Sequence, residues 1–436
     1  MSPDGASSQS AFRVAYLSPT GSIGGAESCL LDLLASSKEV RPDWRAQVLL
    51  GGEGPLRREV EALGVACEVL PLPDDLARLG DSALVGQGAV AKLLRLGIGG
   101  GQALAGTLGY IRRLSRWLEA ANPDVVQSNG MKTHILSAWA ARPRLPVVWH
   151  LHDYLGPRPA MAGLLKLSRR EGLSAVAVSK SVADDASAVL GPRVPVKTIY
   201  NRIDLDRFRP GIGDGSKLDG AAGMAAAPEG TIRVGLVATF AIWKGHEVFL
   251  EAVSRIPKDR LARFYIIGGP IYLSTGSQVT MDELRRSADR LGVADRVGLT
   301  GHLADPAEAI RALDVVVHAS VRPEPFGRVI VEGMACGRAV VAMLDGGAAE
   351  LFDDGRTALG CPPNDPNSLA AAIDRLIVEP DTRLRLGRAG REAVLQRFDR
   401  TRLADDWASV YGCRDRPSSD RSGAEPLIAA GERSRP

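Results

Sequence analysis

The sequence predicts an α/β protein made of two doubly wound domains, each a parallel sheet covered by helices on both faces. Three observations carry this. Short apolar runs of strand length alternate with helical stretches along most of the 436 residues, the pattern of parallel strands joined by crossover helices. The alternation stops over Pro210 to Gly230, which is rich in Gly, Ala and Asp without an apolar period, and then restarts. A chain of 436 residues is also long enough to bury two substantial cores.

Phe12 to Leu17 reads as the first strand, followed by the turn Gly21 to Glu27 and an amphipathic helix through Leu34. Ala46 to Leu50 is a strand, Pro55 to Leu63 a helix and Cys67 to Leu70 a third strand. Tyr110 to Ala120 is a helix ended by Asn122-Pro123, and Val125 to Gln127, Val147 to Leu151 and Ala175 to Val178 continue the strands. After the break, strands are expected at Arg233 to Ala238, Phe264 to Ile267, Val297 to Leu299, Val315 to Ala319 and Ala339 to Met343. The helices between them are Glu247 to Ser254, Met281 to Leu291, Ala307 to Leu313 and Arg328 to Cys336. Asp381 to Tyr411 is helical with an interruption near Phe398-Asp399. The expected organisation is a first domain over 1–209, a linker over 210–230, a second domain over 231–395, a terminal helix over 396–412 and a Ser/Arg/Gly/Pro-rich disordered tail over 413–436.

Hydrophobic residues make up 45% and charged residues 24% of the chain, a soluble globular balance. The net charge of +3 gives no reason to expect nucleic acid. Cys29, Cys67, Cys336, Cys361 and Cys413 are scattered without a Cys-x-x-Cys pair, which fits a reducing compartment and speaks against a zinc site. Met1 to Ser10 lacks the apolar core of a signal peptide, and no run of 18 apolar residues is present, so the expected location is the cytoplasm.

The richest chemistry lies in Val315 to Gly337. It reads as a buried strand, a Pro/Gly-rich turn and a helix opened by Gly327. Unpaired backbone N–H groups and the helix dipole favour an anion at that turn. Glu324 precedes the helix and Glu332 lies on its second turn, eight positions later. They suit the two ends of an elongated ligand whose phosphates lie over the helix N-terminus, as a nucleotide-sugar would.

Ser320-x-x-Pro323-Glu324-Pro325-Phe326-Gly327-x4-Glu332-Gly333-Met334-Ala335-x-Gly337 closely resembles the Glu-x7-Glu motif of the retaining, two-domain glycosyltransferases of family 4, and the resemblance extends from Gly24 to about Gly412. It implies the GT-B fold, two Rossmann-like domains facing a central cleft, with the terminal helix crossing back onto the first domain. It implies that Glu332 binds the ribose hydroxyls and Glu324 the donor sugar, with Phe326, Gly327 and Arg328 in the same donor loop. Lys244 in Trp243-Lys244-Gly245-His246-Glu247 would neutralise the diphosphate, and Gly245 would let the backbone approach. Thr239 stands where the family usually has an Arg, five positions before the Lys; Lys244 and the helix N-terminus, or Arg328, would then carry the phosphate charge. Gly24, Gly25 and Gly347 would line the donor cleft. Gly268 to Tyr272 would bound the base pocket. His152 would sit near the reacting sugar and orient a hydroxyl or move a proton. Asp153 and Asn201 would face the acceptor.

Arg202 replaces a Gly of the family's Asn-Gly-Ile-Asp loop and would touch phosphate or solvent. Asp204-x-Asp206 is read as coincidence, not as a metal motif. His150 and His152 have no evident third ligand, so no metal is expected. Leu93 to Leu96, the Arg112, Arg113, Arg116 helix and Lys166 to Arg170 leave room for peripheral contact with the inner membrane face. Gly97 to Gly109 is read as an acceptor loop. The activity implied is metal-independent, cofactor-free transfer of a sugar with retention, from a nucleoside-diphosphate donor to a saccharide, lipid-linked or small-molecule acceptor. The setting would be cell-envelope, exopolysaccharide or secondary-metabolite synthesis. A nucleotide-sugar 2-epimerase, a phosphorylase or a catalytically weak binding subunit are the alternatives.

Overall fold

A computed structural model describes residues 11–78, 100–270 and 278–412. Two parallel sheets form. The first holds β1 (Phe12–Ser18), β2 (Trp44–Leu50), β3 (Ala66–Val69), β4 (Val125–Asn129), β5 (Val147–Leu151), β6 (Leu173–Ala177) and β7 (Val196–Thr198), in the order β3-β2-β1-β4-β5-β6-β7. The second holds β8 (Ile232–Val237), β9 (Ala262–Ile267), β10 (Val297–Gly301), β11 (Val315–His318), β12 (Ala339–Met343) and β13 (Leu359–Cys361), in the order β10-β9-β8-β11-β12-β13. These are the doubly wound sheets the sequence predicts. In each, the order reverses between its first and fourth strands, so a crevice opens there beyond the carboxyl ends. The loops after β1, β4, β8 and β11 feed those crevices.

Continuous apolar runs make the central strands. Val14 to Leu17 and Val315 to Val317 are buried, as strands covered by helices on both faces require. One cluster joins the two sheets: Phe326 meets Phe398 edge-on at 6.1 Å, and Phe398 meets Tyr200 at 6.4 Å. The helix Pro380–Arg397 ends at Phe398, and after a short turn the helix Leu403–Tyr411 returns to the first sheet. Its Leu403, Ala404, Trp407, Ala408 and Tyr411 lie on one helical face and pack with Val14, Tyr16, Leu30, Leu33 and Leu34. Ion pairs fasten this end: Arg202 to Asp406 at 2.6 Å and Arg400 to Asp204 at 2.7 Å.

Two expectations change. The segment 210–230 is not a bare linker, because Gly215–Ala221 is a helix with Leu218 and Asp219 buried. Its Asp219 binds Arg233 at 2.9 Å and Arg263 at 3.2 Å, and the following Ala222 and Met224 pack over Gly298. A buried carboxylate met by two guanidiniums does what an apolar stripe would otherwise do. Nor are residues 100–109 a loop, since the helix Gly100–Ala121 runs through them, seated by Tyr110, Leu114 and Leu118 at four-residue spacing. Leu93 to Leu96, Tyr272 and the tail 413–436 fall outside the described residues. Among the described residues no helix is long and apolar enough to cross a membrane.

Candidate active site

The site is assembled by two loops of the second sheet. After β8 the chain makes a short helical turn, Ile242–Lys244, that ends at Gly245 with φ +74°. A Cβ at Gly245 would sit 1.8 Å from the Ala319 carbonyl oxygen, so only glycine lets this turn lie against the loop after β11. Val321 N–H donates to the Trp243 carbonyl at 2.8 Å, fixing the two loops together.

Glu324 is thereby brought to Lys244. The Lys244 Nζ lies 2.7 and 2.9 Å from the two carboxylate oxygens. Ser320 Oγ donates to Glu324 Oε2 at 2.6 Å, and His318 Nε2 lies 3.4 Å from the same oxygen. Burial would push the Glu324 carboxyl up, but Lys244 and His318 overcome it and hold it well below the usual carboxylate range. The backbone is held as well, because Gly347 N–H donates to the Glu324 carbonyl at 2.7 Å.

Gly327, at φ +93°, opens the helix Arg328–Ala335. Glu332 lies one turn on and accepts from Arg328 Nε at 3.2 Å. Burial raises the Glu332 carboxyl despite this partner. Arg328 also reaches the first sheet's side of the cleft, donating to Asp32 Oδ2 at 2.9 Å on the helix Gly25–Val40. Burial disfavours the Arg328 charge, but Asp32 and its other acidic neighbours more than restore it. The two carboxylates expected to grip a ligand thus each carry a cation.

On the first sheet, His152 follows β5, and its Nε2 lies 3.2 Å from Asn129 Oδ1 at the end of β4. Its ring keeps some exposed area but is densely surrounded. Burial, with the charge of Arg328, pulls its pKa down to about 3. The direction of this shift favours a neutral, hydrogen-bonding ring over a charged one. Gly24 N–H is taken by Glu27 Oε2 at 3.0 Å, whereas Gly25 is exposed with nothing within 4 Å of where its Cβ would stand.

Several residues expected to meet a ligand also have packing or hydrogen-bonding roles within the protein. The Phe326 ring is 3% exposed and belongs to the core against Phe398, so it seats the loop instead of lining the cleft. The Gly347 N–H is committed to Glu324, and a Cβ there would strike the Pro325 carbonyl at 2.0 Å. Gly347 is therefore a point of close approach between loops. Asp153 accepts from Tyr154 N–H at 2.8 Å and pairs with Arg158. Asn201 is buried in the loop whose Ile203 bridges Asp399, at the chain's crossing point. Arg202 serves Asp406, not phosphate. Asp204 accepts from Asp206 N–H and Arg207 N–H and pairs with Arg400. Thr239 is half-buried, and its carbonyl takes the Ala241 N–H at 2.7 Å. Arg328, the nearby cation expected to stand in for the missing Arg, is engaged by Asp32 and Glu332.

The sequence alone gave no role to Asp32, Asn129, Tyr154, His318 or Ser320. His318 ends the strand that leads to Glu324 and Ser320 lies in the loop just after it, so proximity in sequence was a signal. Asp32 sits mid-helix and Asn129 at a strand end, and only the fold brings them to the cleft. Tyr154 joins the halves, its hydroxyl near the Glu324 carbonyl at 3.4 Å and the Gly347 N–H at 3.3 Å. Glu350 does the same from the other side, accepting Lys180 N–H, Ser181 N–H and Tyr200 Oη–H at 2.7–2.9 Å. Among the described residues no three His, Cys, Asp or Glu side chains gather as metal ligands would.

Residues 225–393 match the family model described as glycosyl transferases group 1, and residues 56–207 match that of glycosyltransferase family 4. The chain is similar to the HepE protein of Anabaena, solved in complex with UDP: 26% identity, TM-score 0.73, covering 92% of this chain and 100% of that one. The same protein solved with UDP-glucose gives 25% identity and a TM-score of 0.74, covering 92% and 99%. Among curated proteins, an N-acetyl-alpha-D-glucosaminyl L-malate synthase of Bacillus anthracis is 22% identical over 70% of this chain and 78% of its own length. A D-inositol 3-phosphate glycosyltransferase of Catenulispora acidiphila is 32% identical over half of each chain.

Proposed function

Because the chain belongs to the group 1 glycosyltransferases of family 4 and has their GT-B fold, we propose that it transfers a sugar from a nucleoside-diphosphate donor with retention of configuration and without a metal. One observation carries this. Lys244 and Glu324, from the loops after β8 and β11, meet at 2.7 Å beside the helix opened by Gly327, with Glu332 on that helix. An ammonium and a helix N-terminus supply the positive charge a departing diphosphate needs. Glu332 offers two acceptor oxygens to a ribose, and Glu324 offers its own to the sugar hydroxyls.

In the proposed reaction the sugar–phosphate bond breaks with oxocarbenium character and the electron pair stays on the diphosphate. The acceptor oxygen bonds to the same sugar carbon on the same face. Its proton goes to a phosphate oxygen of the leaving group. Lys244 stabilises the growing charge, and closure of the cleft keeps water from the donor. The likeness to a protein solved with UDP and UDP-glucose supports a UDP-sugar as the donor. The acceptor is a saccharide, a lipid-linked sugar or a small molecule of envelope, exopolysaccharide or secondary-metabolite synthesis. Exposed Trp139 and Leu167 on neighbouring helices, with exposed Lys166 and Arg169, favour peripheral contact with an anionic membrane. Co-sedimentation with anionic vesicles tests that contact.

The central test is a panel of UDP-, GDP-, ADP- and dTDP-sugars, scored by calorimetric binding and by nucleotide release with and without acceptor mixtures. It is run on wild type, Glu332→Ala and Lys244→Ala. One donor that binds, turns over and is lost in both variants supports the proposal. Turnover without acceptor points to an epimerase, and a need for free phosphate points to a phosphorylase. Binding without turnover points to a weak subunit, in which Thr239→Arg should restore rate. No binding at all removes the proposal.

A further inference from the structure

A polar chain runs through the first sheet to the cleft. Tyr411 Oη on the terminal helix donates to Gln127 Oε1 on β4. That turns the Gln127 amide nitrogen toward Asn129, 3.5 Å from its Oδ1. The same oxygen lies 3.1 Å from His150 Nδ1 and 3.2 Å from His152 Nε2. Three nitrogens therefore converge on one oxygen; with the amide in this orientation, which leaves its Nδ2 buried without a partner, that oxygen can only accept, and His150 Nδ1 also lies 3.5 Å from Gln127 Nε2. We propose that Asn129 is a positioning residue that fixes His152 as its Nε2–H tautomer, so that Nδ1 is presented to the cleft as a hydrogen-bond acceptor for a sugar hydroxyl.

The geometry supports each step. Asn129 is 1% exposed and His150 3% exposed, so neither has water to exchange for the other. The two imidazole rings lie 3.9 Å apart between centroids, and His150 abuts Trp407 edge-on at 4.8 Å, which leaves the pair little freedom to rotate. Among the described residues His152 Nδ1 has no hydrogen-bond partner, and it is not among the enclosed unpartnered atoms. It is the free end of the chain.

The charged and titratable neighbours all oppose an imidazolium here. Arg328 faces His152 from the second sheet, His150 from its own strand and His134 from the helix Met131–Ala140. The nearest carboxylate in sequence, Asp153, is spent on Arg158. An amide is the acceptor that can hold both rings without favouring their protonation. A carboxylate of the same shape would stabilise the charged form. The proposal rests on the transfer cleft described above, and it assigns His152 a preference for ligands that donate a hydroxyl hydrogen at that point.

The test uses the full chain labelled with 15N-histidine, with His152→Ala to assign the ring signals. At pH 7 the wild-type His152 should show a protonated Nε2 and a bare Nδ1. In Asn129→Asp the ring should titrate between pH 5 and 8, and kcat should gain an ionisation absent from wild type and fall at least tenfold below it. Asn129→Leu should give a mixture of tautomers, with kcat lowered more than KM is raised. A wild-type ring protonated on Nδ1, or an unchanged titration in Asn129→Asp, overturns the proposal. The wild-type spectrum decides even if a variant fails to fold. Because it needs no turnover, it also separates failure here from failure of the transfer reaction.

Discussion

Replacing Lys244 by Met should cost stability as well as activity, by an amount the geometry sets. The ammonium sits 2.7 Å from Glu324, with the two side chains 22% and 12% exposed. At an effective dielectric of about 20, unit charges at that distance attract by roughly 6 kcal/mol. Ser320 and His318 remain as partners after the substitution, so the net loss should be about 3–5 kcal/mol, typical of a buried carboxylate left without its cation. Urea unfolding at pH 7 of wild type, Lys244→Met, Glu324→Gln and the double variant measures it. The double variant should be more stable than Lys244→Met alone, since the orphaned charge is gone. The pH dependence has a defined sign. In wild type Glu324 is depressed below its ordinary 4.5 and stabilises at pH above that value. In Lys244→Met burial should raise it, so the deficit should shrink as pH falls toward 4.5. A loss below about 1 kcal/mol, or additivity of the two single variants, would refute the reasoning.

Other outcomes follow from single contacts. Gly245→Ala adds a Cβ 1.8 Å from a backbone oxygen at φ +74°, so it should lose about 3 kcal/mol or more in thermal unfolding; near-wild-type stability would mean the two loops are not locked there. Trp407→Ala, at 1% exposure, should cost roughly 3–5 kcal/mol, and a cost under 1 would show that the terminal helix is dispensable. Burial chiefly depresses the buried His134 to about 3, His246 to about 4 and His150 well below its ordinary value, and the partly exposed, densely surrounded His152 to about 3. Depressed histidines destabilise the fold as pH drops below about 6.5, by roughly 1.4 kcal/mol per histidine per pH unit. Urea midpoints should fall steeply between pH 6.5 and 5, and a flat profile would contradict the burial assigned to them.

The sheets were legible because their strands are runs such as Val315-Val316-Val317, with Gly or Pro punctuation between them. The strands β7 and β13 were not, at three residues each too short to carry a period. The segment 210–230 misled because its helix is seated by Asp219 among arginines, a pairing that no periodicity reveals. At the site, Glu324, Glu332, Lys244 and Gly245 could be named because each follows a strand within a recognisable local pattern. Phe326 and Asp153 could not be placed, since a side chain's direction at a turn depends on what it packs against. Asp32 and Asn129 lay beyond reach for a different reason. Their partners are 296 and 23 positions away in the chain.

The return of the helix Leu403–Tyr411 to the first sheet has a consequence for how the molecule is made. Val14 and Tyr16 find Trp407 and Tyr411, translated long after them, as neighbours. At translation rates of about 5–20 residues per second, the earliest strand must wait roughly 20–80 s for the last piece of its own core. During that interval the first sheet carries an uncovered apolar strip and an unanswered Gln127. The first sheet is therefore completed only after the second has been made, and loss of the helix Leu403–Tyr411 is felt at β1.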